Sequence, residues 1–327
     1  MKTGLVIGKF LPPHKGHLAL IDYGLANCDE LIILIHITEN DYIEGERRIC
    51  FLNEIYKNNN RVRIEYTNLE TLPSSSVSDR DISKIWAFYL SKLFPEVRII
   101  FSSEKYGEYL AEYMNIECKI FDMDRIRYPI SATMIRENPY IYWEFIPEQI
   151  KSYFVKKICI YGPESTGKSI LTEKLANYYN TIFVPEVARE IIDNEKDITP
   201  DTISQIFISH ADEIIDKSKS ADRFLFVDSD YITTEIYSNF FFKTIPPYPQ
   251  WVANANQFDL YLFCDIDVPW VYDKQRFTEK LRKETREWFM NELIKRKINY
   301  EIIDGSDYDE RFNKAVSYIE KRWRTQN

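Results

Sequence analysis

The segment "ICIYGPESTGKSILTEKLA", Ile158–Ala176, limits the possible folds of this chain more than any other stretch. An apolar run, a glycine-bounded loop and a stretch of helical periodicity follow one another without a break. Gly162-x-x-x-x-Gly167-Lys168-Ser169 has the spacing of a P-loop, in which backbone N–H groups form a nest for phosphate. Glu164, Ser165 and Thr166 fill the loop, Lys168 can reach the β- and γ-phosphates, and Ser169 can ligate Mg²⁺. Such a loop belongs between a parallel strand and the helix that follows it, so an α/β fold is expected.

Short apolar runs rich in β-branched residues alternate with amphipathic stretches on both sides of this loop, as in βα units on a mainly parallel sheet. Upstream, strands are expected over 3–8, 30–37, 61–66, 97–102 and 117–121, with helices over 16–26, 46–57, 79–93 and 106–114. Downstream, strands are expected over 156–161, 181–184, 223–228, 260–264 and 300–303. The series restarts after "NPYIYWEFIPEQIKSYF", an aromatic connection unlike a flexible Gly/Ser linker. Two domains that pack on one another are expected, 1–153 and 154–327, which suits a length of 327 residues.

A net charge of −9 argues against broad attraction to nucleic acid or anionic membrane, although local basic groups can still meet phosphates. The 5 cysteines are scattered, with no CxxC pair, so neither zinc nor a disulfide framework is expected. No apolar run approaches the roughly 20 residues of a membrane span. A reducing cytoplasm is the simplest location.

Two of the 4 histidines stand in "GKFLPPHKGH", directly after the first expected strand. Gly8 and Gly16 let backbone approach a ligand, while Pro12 and Pro13 restrict the loop. His14 and His17 fall where a helix begins, where free N–H groups and the helix dipole favour an anion. Their imidazoles could stabilise charge developing on a phosphate. Either histidine alone could be a capping residue; the full G-x-F-x-P-x-H-x-G-H spacing is far more specific. In "ISATMIREN", Ser131 is a natural N-cap and Pro139 stops the helix within about two turns. That short helix offers N–H groups, Ser131, Thr133 and Arg136 to a polyphosphate.

Downstream, "FLFVDSD" puts Asp228 and Asp230 at the end of a buried strand, with Asp228 the better metal candidate; both could be plain turn acids. "VPEVARE" places Glu186 and Arg189 just past the strand that follows the P-loop helix, either at a hydroxyl substrate or as a helix-surface ion pair. "DVPWVYDKQRFTEKLRKETRE" suits a lid, with Arg276 or Arg282 acting on transferring phosphate. Trp270 could stack on an aromatic substrate or be packed core.

The upstream motifs resemble the nucleotidyltransferase superfamily, marked by an HxGH loop and an I-S-x-T-x-x-R helix start. That resemblance implies a Rossmann-like fold and attack of a substrate phosphate on the α-phosphorus of ATP. His14 and His17 would contact ATP phosphates, and Lys9, Phe10, Ser131, Thr133 and Arg136 would line the nucleotide site with Gly8. Ser103, in "FSSEKYG", would border the adenine, and Asp124 and Arg125 belong to a matching DxDR string at Asp122–Arg125.

Over essentially the whole chain, the order GKFxPxHxGH, SSExYG, DxDR, ISxT, GPESTGKS, PExARE, FVDSD and PWVxD resembles the bifunctional NadR-type enzymes. The resemblance implies a nicotinamide-mononucleotide adenylyltransferase domain followed by a P-loop nicotinamide riboside kinase domain. Each step would use Mg²⁺ and ATP, with nicotinamide riboside, nicotinamide mononucleotide and NAD as the other small-molecule partners. Glu186, Arg189, Asp230 and Trp270 would meet the riboside, and a homo-oligomer is allowed. Some family members carry an N-terminal helix-turn-helix domain; this chain opens on its first strand, so transcriptional repression is not expected. The lid region Lys274–Glu279 departs from the family's more glycine-rich pattern. Two rivals remain. One is a phosphopantetheine adenylyltransferase fused to dephospho-coenzyme A kinase, which PExARE and PWVxD disfavour. The other is a nucleotide-sensing regulator without turnover, which the intact His14, His17, Lys168 and Ser169 disfavour.

Overall fold

The computed structural model describes residues 1–69, 72–73, 79–192, 198–269 and 279–323. The chain forms two compact units, Met1–Ile150 and Lys151–Asn327. Each is built on one parallel sheet.

In the first unit the strands are β1 (Thr3–Gly8), β2 (Glu30–His36), β3 (Val62–Thr67), β4 (Val97–Ser102) and β5 (Glu117–Ile120). They lie in the order β3-β2-β1-β4-β5, and every neighbouring pair is parallel. The helices are α1 (Lys15–Leu25), α2 (Gly45–Tyr56), α3 (Arg80–Leu93), α4 (Tyr106–Met114), α5 (Ala132–Glu137) and α6 (Glu148–Lys151). Leu31 to Ile35 are all fully buried, because helices cover both faces of the sheet. Trp86, Leu90 and Leu110 from α3 and α4 pack on one face. Leu20, Ile21 and Leu52 from α1 and α2 pack on the other.

The second unit holds β6 (Lys156–Tyr161), β7 (Phe183–Val184), β8 (Phe224–Asp228), β9 (Leu260–Cys264) and β10 (Tyr300–Ile303). Their order is β10-β9-β6-β8-β7, again all parallel. The helices are α7 (Lys168–Tyr178), α8 (Ala188–Ile191), α9 (Pro200–Ser218), α10 (Tyr231–Phe242), α11 (Gln250–Ala255), α12 (Glu279–Lys295) and α13 (Tyr308–Trp323). Leu171 and Leu175 of α7 and Ala315 and Ile319 of α13 pack on one sheet face. Ile232 of α10 and Phe289 and Leu293 of α12 pack on the other.

The expected α/β class and both parallel sheets are present. β7 is shorter than expected because Thr181 is used elsewhere. Its N–H closes the end of α7 on the Ala176 carbonyl at 2.9 Å, and its hydroxyl donates to the Phe224 carbonyl at 2.7 Å.

In both units the central strand, β1 or β6, is flanked on its two sides by strands reached in opposite directions along the sheet. The carboxyl end of such a strand opens a crevice in which ligands bind. The register places Ile160 of β6 opposite Asp228 of β8, so the P-loop and that carboxylate share one sheet edge. Gly162 begins the loop at φ 141°, a conformation open to glycine, and a Cβ there would stand 2.6 Å from the Cys264 carbonyl oxygen. Gly162→Ala is therefore expected to lower stability by more than about 1 kcal/mol. Urea unfolding of the purified variant against the parent protein measures the loss.

Candidate active sites

The first site forms around the β1–α1 loop. Phe10 takes a left-handed backbone at φ 48° and turns the chain sharply after the strand. Its ring is buried with Val6, Leu20 and Ile21, which leaves only its backbone for a ligand. His14 is the N-cap of α1, and its Nδ1 accepts the His17 backbone N–H at 3.3 Å. The two imidazoles stack with centroids 3.7 Å apart. A Cβ on Gly16 would come within 3.1 Å of the His14 ring, so the glycine between the histidines makes room for the stack. Among the described residues, the buried His17 Nδ1 has no hydrogen-bond partner.

Arg136 of α5 donates to the Leu11 carbonyl at 2.6 Å and to the Thr133 hydroxyl at 2.9 Å, tying α5 to the histidine loop. Ser131 caps α5 by accepting the Met134 N–H at 3.2 Å. Ser103 directly follows β4, half-buried. Asp124 and Arg125 are exposed on a tight turn in which Arg125 has φ 53° and lies 3.5 Å from Glu104.

Lys9 does not point freely into the loop. Its Nζ donates to the Thr38 hydroxyl at 3.1 Å and to Asp41 at 3.0 Å. Asp41 also pairs at 2.6 Å with Arg48, whose side chain is fully buried. The Arg48 guanidinium further donates to the carbonyls of Lys9, His36 and Ile43. One cation thus clamps the loops after β1 and β2 together. Sequence reasoning missed Thr38, Asp41 and Arg48. The available signal was an arginine on the apolar stripe of α2, in line with Phe51 and Leu52.

The second site lies at the P-loop. Gly167 is the N-cap of α7, whose first residue is Lys168. Lys168 is buried, and its Nζ donates to the Pro163 carbonyl at 3.0 Å, beside the Thr166 hydroxyl, which donates to the same oxygen at 2.8 Å. A partly open cavity of about 160 Å³ adjoins the loop. Glu164, Glu186, Asp228 and Asp230 line it against one cation, Arg189. Ile192, Ile198, Ile203 and Ile206 form an apolar wall.

Glu186 pairs with Arg189 at 2.7 Å, so the helix-surface ion pair exists and also borders the cavity. Burial by itself would raise the Glu186 carboxyl, but Lys168 and Arg189 hold it below the usual range. Burial and the neighbouring Glu186 charge push Asp228 up to about 6, against the pull of Lys168 and a hydrogen bond from Ser169. The two cavity carboxyls are thus driven apart in acidity. Asp230 caps α10 through the Thr233 N–H at 3.0 Å and accepts the Tyr261 hydroxyl at 2.9 Å. Burial raises it too, to about 6.

Arg282 is buried on α12, and its guanidinium donates to the carbonyls of Ile266 and Val268 at 2.9 and 2.8 Å. It ties α12 to the segment after β9. Trp270 and Arg276 lie outside the described residues. His210 of α9 lines the cavity and was missed, though it too sits on an apolar helical stripe with Ile203, Ile206 and Ile214.

Residues 5–138 match the cytidylyltransferase-like family and residues 157–311 match an AAA domain. The trifunctional NAD biosynthesis/regulator protein NadR of Salmonella typhimurium is 30% identical over 97% of this chain and 82% of its own length. Its Escherichia coli counterpart gives the same figures. The chain belongs to the NadR family. A solved NadR structure with NR superposes on this NadR-family fold with a TM-score of 0.78 at 23% identity, covering 98% of this chain and 96% of that one. A second, with NAD and AMP-PNP, gives 0.76 at 22% identity over 100% and 97%. These two show the fold.

In this NadR-family chain the site histidines are held neutral. Burial, followed by the Arg125 charge, brings His17 down to about 3. Burial and its stacked neighbour depress His14 further still. His210 is brought down to about 4 by burial, despite Glu186 and Glu213. Unfolded imidazoles titrate near 6.5, so below that pH the unfolded chain binds protons that these folded histidines refuse. These three groups therefore weaken the fold as pH falls, while the raised Asp228 and Asp230 act in the opposite direction. In NMR spectra of the folded protein, the imidazole signals of His14, His17 and His210 are expected to stay neutral from pH 8 to pH 5. A titration midpoint near 6.5 for any of them would contradict its burial.

Proposed function

We propose that this chain makes NAD in two steps, phosphorylating nicotinamide riboside in its second unit and adenylating nicotinamide mononucleotide in its first. The observation that carries the reading is the pair of phosphate loops, each at the carboxyl edge of its own parallel sheet, the second opening on an acid-lined cavity. Membership of a family named for NAD biosynthesis agrees with it. Four carboxyl groups against one arginine suit a substrate carrying a positive pyridinium ring, and the isoleucine wall suits the ring's apolar face. The 5 free cysteines accord with a reducing cytoplasm.

In the kinase step the riboside 5′-hydroxyl oxygen bonds to the γ-phosphorus of ATP, and the bond to the β-phosphate oxygen breaks, releasing ADP. Glu186, held ionised by Lys168 and Arg189, orients the hydroxyl and takes its proton. Lys168, with the backbone N–H groups of the P-loop, holds the phosphates. Asp228 and Ser169 offer hard oxygen donors side by side, which fits Mg²⁺ held jointly with substrate phosphates. Among the described residues no cluster of three or more His, Cys, Asp or Glu could hold a metal without such help. The ion, when bound, neutralises phosphate charge. Any role for Arg282 at the transferring phosphate requires release of its two carbonyl bonds.

In the adenylyl step a phosphate oxygen of the mononucleotide bonds to the α-phosphorus of ATP and pyrophosphate leaves. The start of α1 supplies N–H groups, and the neutral imidazoles of His14 and His17 donate to charge that develops on the phosphate. Ser131, Thr133 and Arg136 stand on the other side of the histidine loop.

Glu186→Gln is expected to lower riboside phosphorylation by about 10²-fold with the fold intact. A coupled ADP assay checks this, and near-parental turnover would move the role to another carboxylate. The two steps should also separate. Lys168→Ala should abolish riboside phosphorylation and leave synthesis of NAD from supplied mononucleotide largely unchanged. His17→Ala should cost about 10²–10³ in adenylyl transfer and accumulate mononucleotide from riboside. Product analysis by chromatography distinguishes them. Loss of both activities in folded Lys168→Ala would overturn the two-site reading.

A further inference from the structure

His210 is an anomaly in the second unit. It is 5% exposed, on the stripe of α9 that otherwise carries Ile203, Ile206 and Ile214 to the interior. A buried imidazole nitrogen normally finds a partner, because leaving one unpaired carries the full desolvation penalty. Among the described residues, His210 Nε2 has none. The ring instead lines the cavity beside the P-loop.

The position within the cavity narrows the choice of partner. Glu186, Ser165 of the phosphate loop and His210 all line this one cavity, so the acid adjoins both the loop and the histidine. A substrate whose reacting hydroxyl rests at Glu186 places its sugar at the next few ångströms. Ile203 and Ile206 precede His210 by about two turns and one turn of α9 and provide the apolar wall for a ring farther along. The group that meets His210 is then a hydroxyl on the sugar, between the reacting end and the ring. A neutral imidazole can serve such a hydroxyl as donor or acceptor.

We propose that His210 binds a secondary ribose hydroxyl of the kinase substrate through Nε2 and makes this domain discriminate ribosides from deoxyribosides. The inference rests on the riboside-kinase reading above. An analogue lacking that hydroxyl would leave Nε2 buried and unpaired, and sites of this kind reject such analogues strongly.

The test compares nicotinamide riboside with its 2′-deoxy and 3′-deoxy analogues in the full-length parent protein, His210→Leu and His210→Gln. The parent is expected to prefer the riboside over one of the two analogues by about 10- to 100-fold in kcat/KM. His210→Leu should raise the KM for riboside by a similar factor, leave kcat within about threefold, and erase the preference. Its thermal midpoint should be unchanged or higher, since it removes an unpaired polar atom from an apolar wall, whereas loss of a structural histidine would lower it. His210→Gln, which can still offer a polar atom, should keep part of the preference. A folded His210→Leu enzyme with the parental preference, or a parent that accepts all three compounds equally, overturns this inference alone. Failure of both variants to fold marks a structural histidine and overturns it as well. A folded parent with no activity on the riboside overturns the kinase reading and this inference with it.

Discussion

Each half of this chain depends on the backbone N–H groups that open the first helix after its central strand. A helix cannot satisfy its own first-turn donors, and a parallel sheet delivers those donors to the edge where neighbouring strands also end. Ile160 and Asp228 are register partners, so a carboxylate arrives beside the start of α7 through sheet pairing alone. At α1 the same geometry is completed by a side chain, with His14 capping the helix while its ring stacks on His17. The chemistry at both edges follows from where the donors are left open.

Around these edges, buried charge is used to hold loops. Arg48, fully buried, gathers three carbonyls and Asp41, and Asp41 in turn holds Lys9. Burying a guanidinium is costly unless each donor is matched, and here the matches come from two different loops. The histidine loop therefore inherits its position from β2 and α2 as much as from β1. In the second unit Arg282 does related work, fastening α12 to the segment after β9.

Much of this was legible in the sequence because phosphate loops are local. Gly162 to Ser169 and Gly8 to His17 carry strand, turn and helix in contiguous residues, so spacing alone reveals them, and the alternation of apolar runs gives the two parallel sheets. What escaped depends on contacts between distant segments. Arg48 and His210 each interrupt an apolar helical stripe, and a stripe says that a residue faces inward without saying what it meets there. The one has partners from the end of β2 and the loops after β1 and β2, while the other lines a cavity. Asp230 reads from its place after a strand as a strand-end acid, and its carboxylate caps α10 and accepts from Tyr261, 31 residues away in the chain. β7 lost its first residues because the Thr181 hydroxyl found the Phe224 carbonyl, a competition that β propensity does not register.

The acid lining of the second cavity has a consequence for direction. On the kinase reading proposed above, a pyridinium riboside would enter it as a cation and meet Glu164, Glu186, Asp228 and Asp230 as counter-charges. Transfer of a phosphoryl group adds about two negative charges, so the product leaves the reaction with its overall sign reversed. The wall that would draw the molecule in would then repel it. On that reading the cavity would act as an electrostatic valve, its discharge set off by the reaction it hosts.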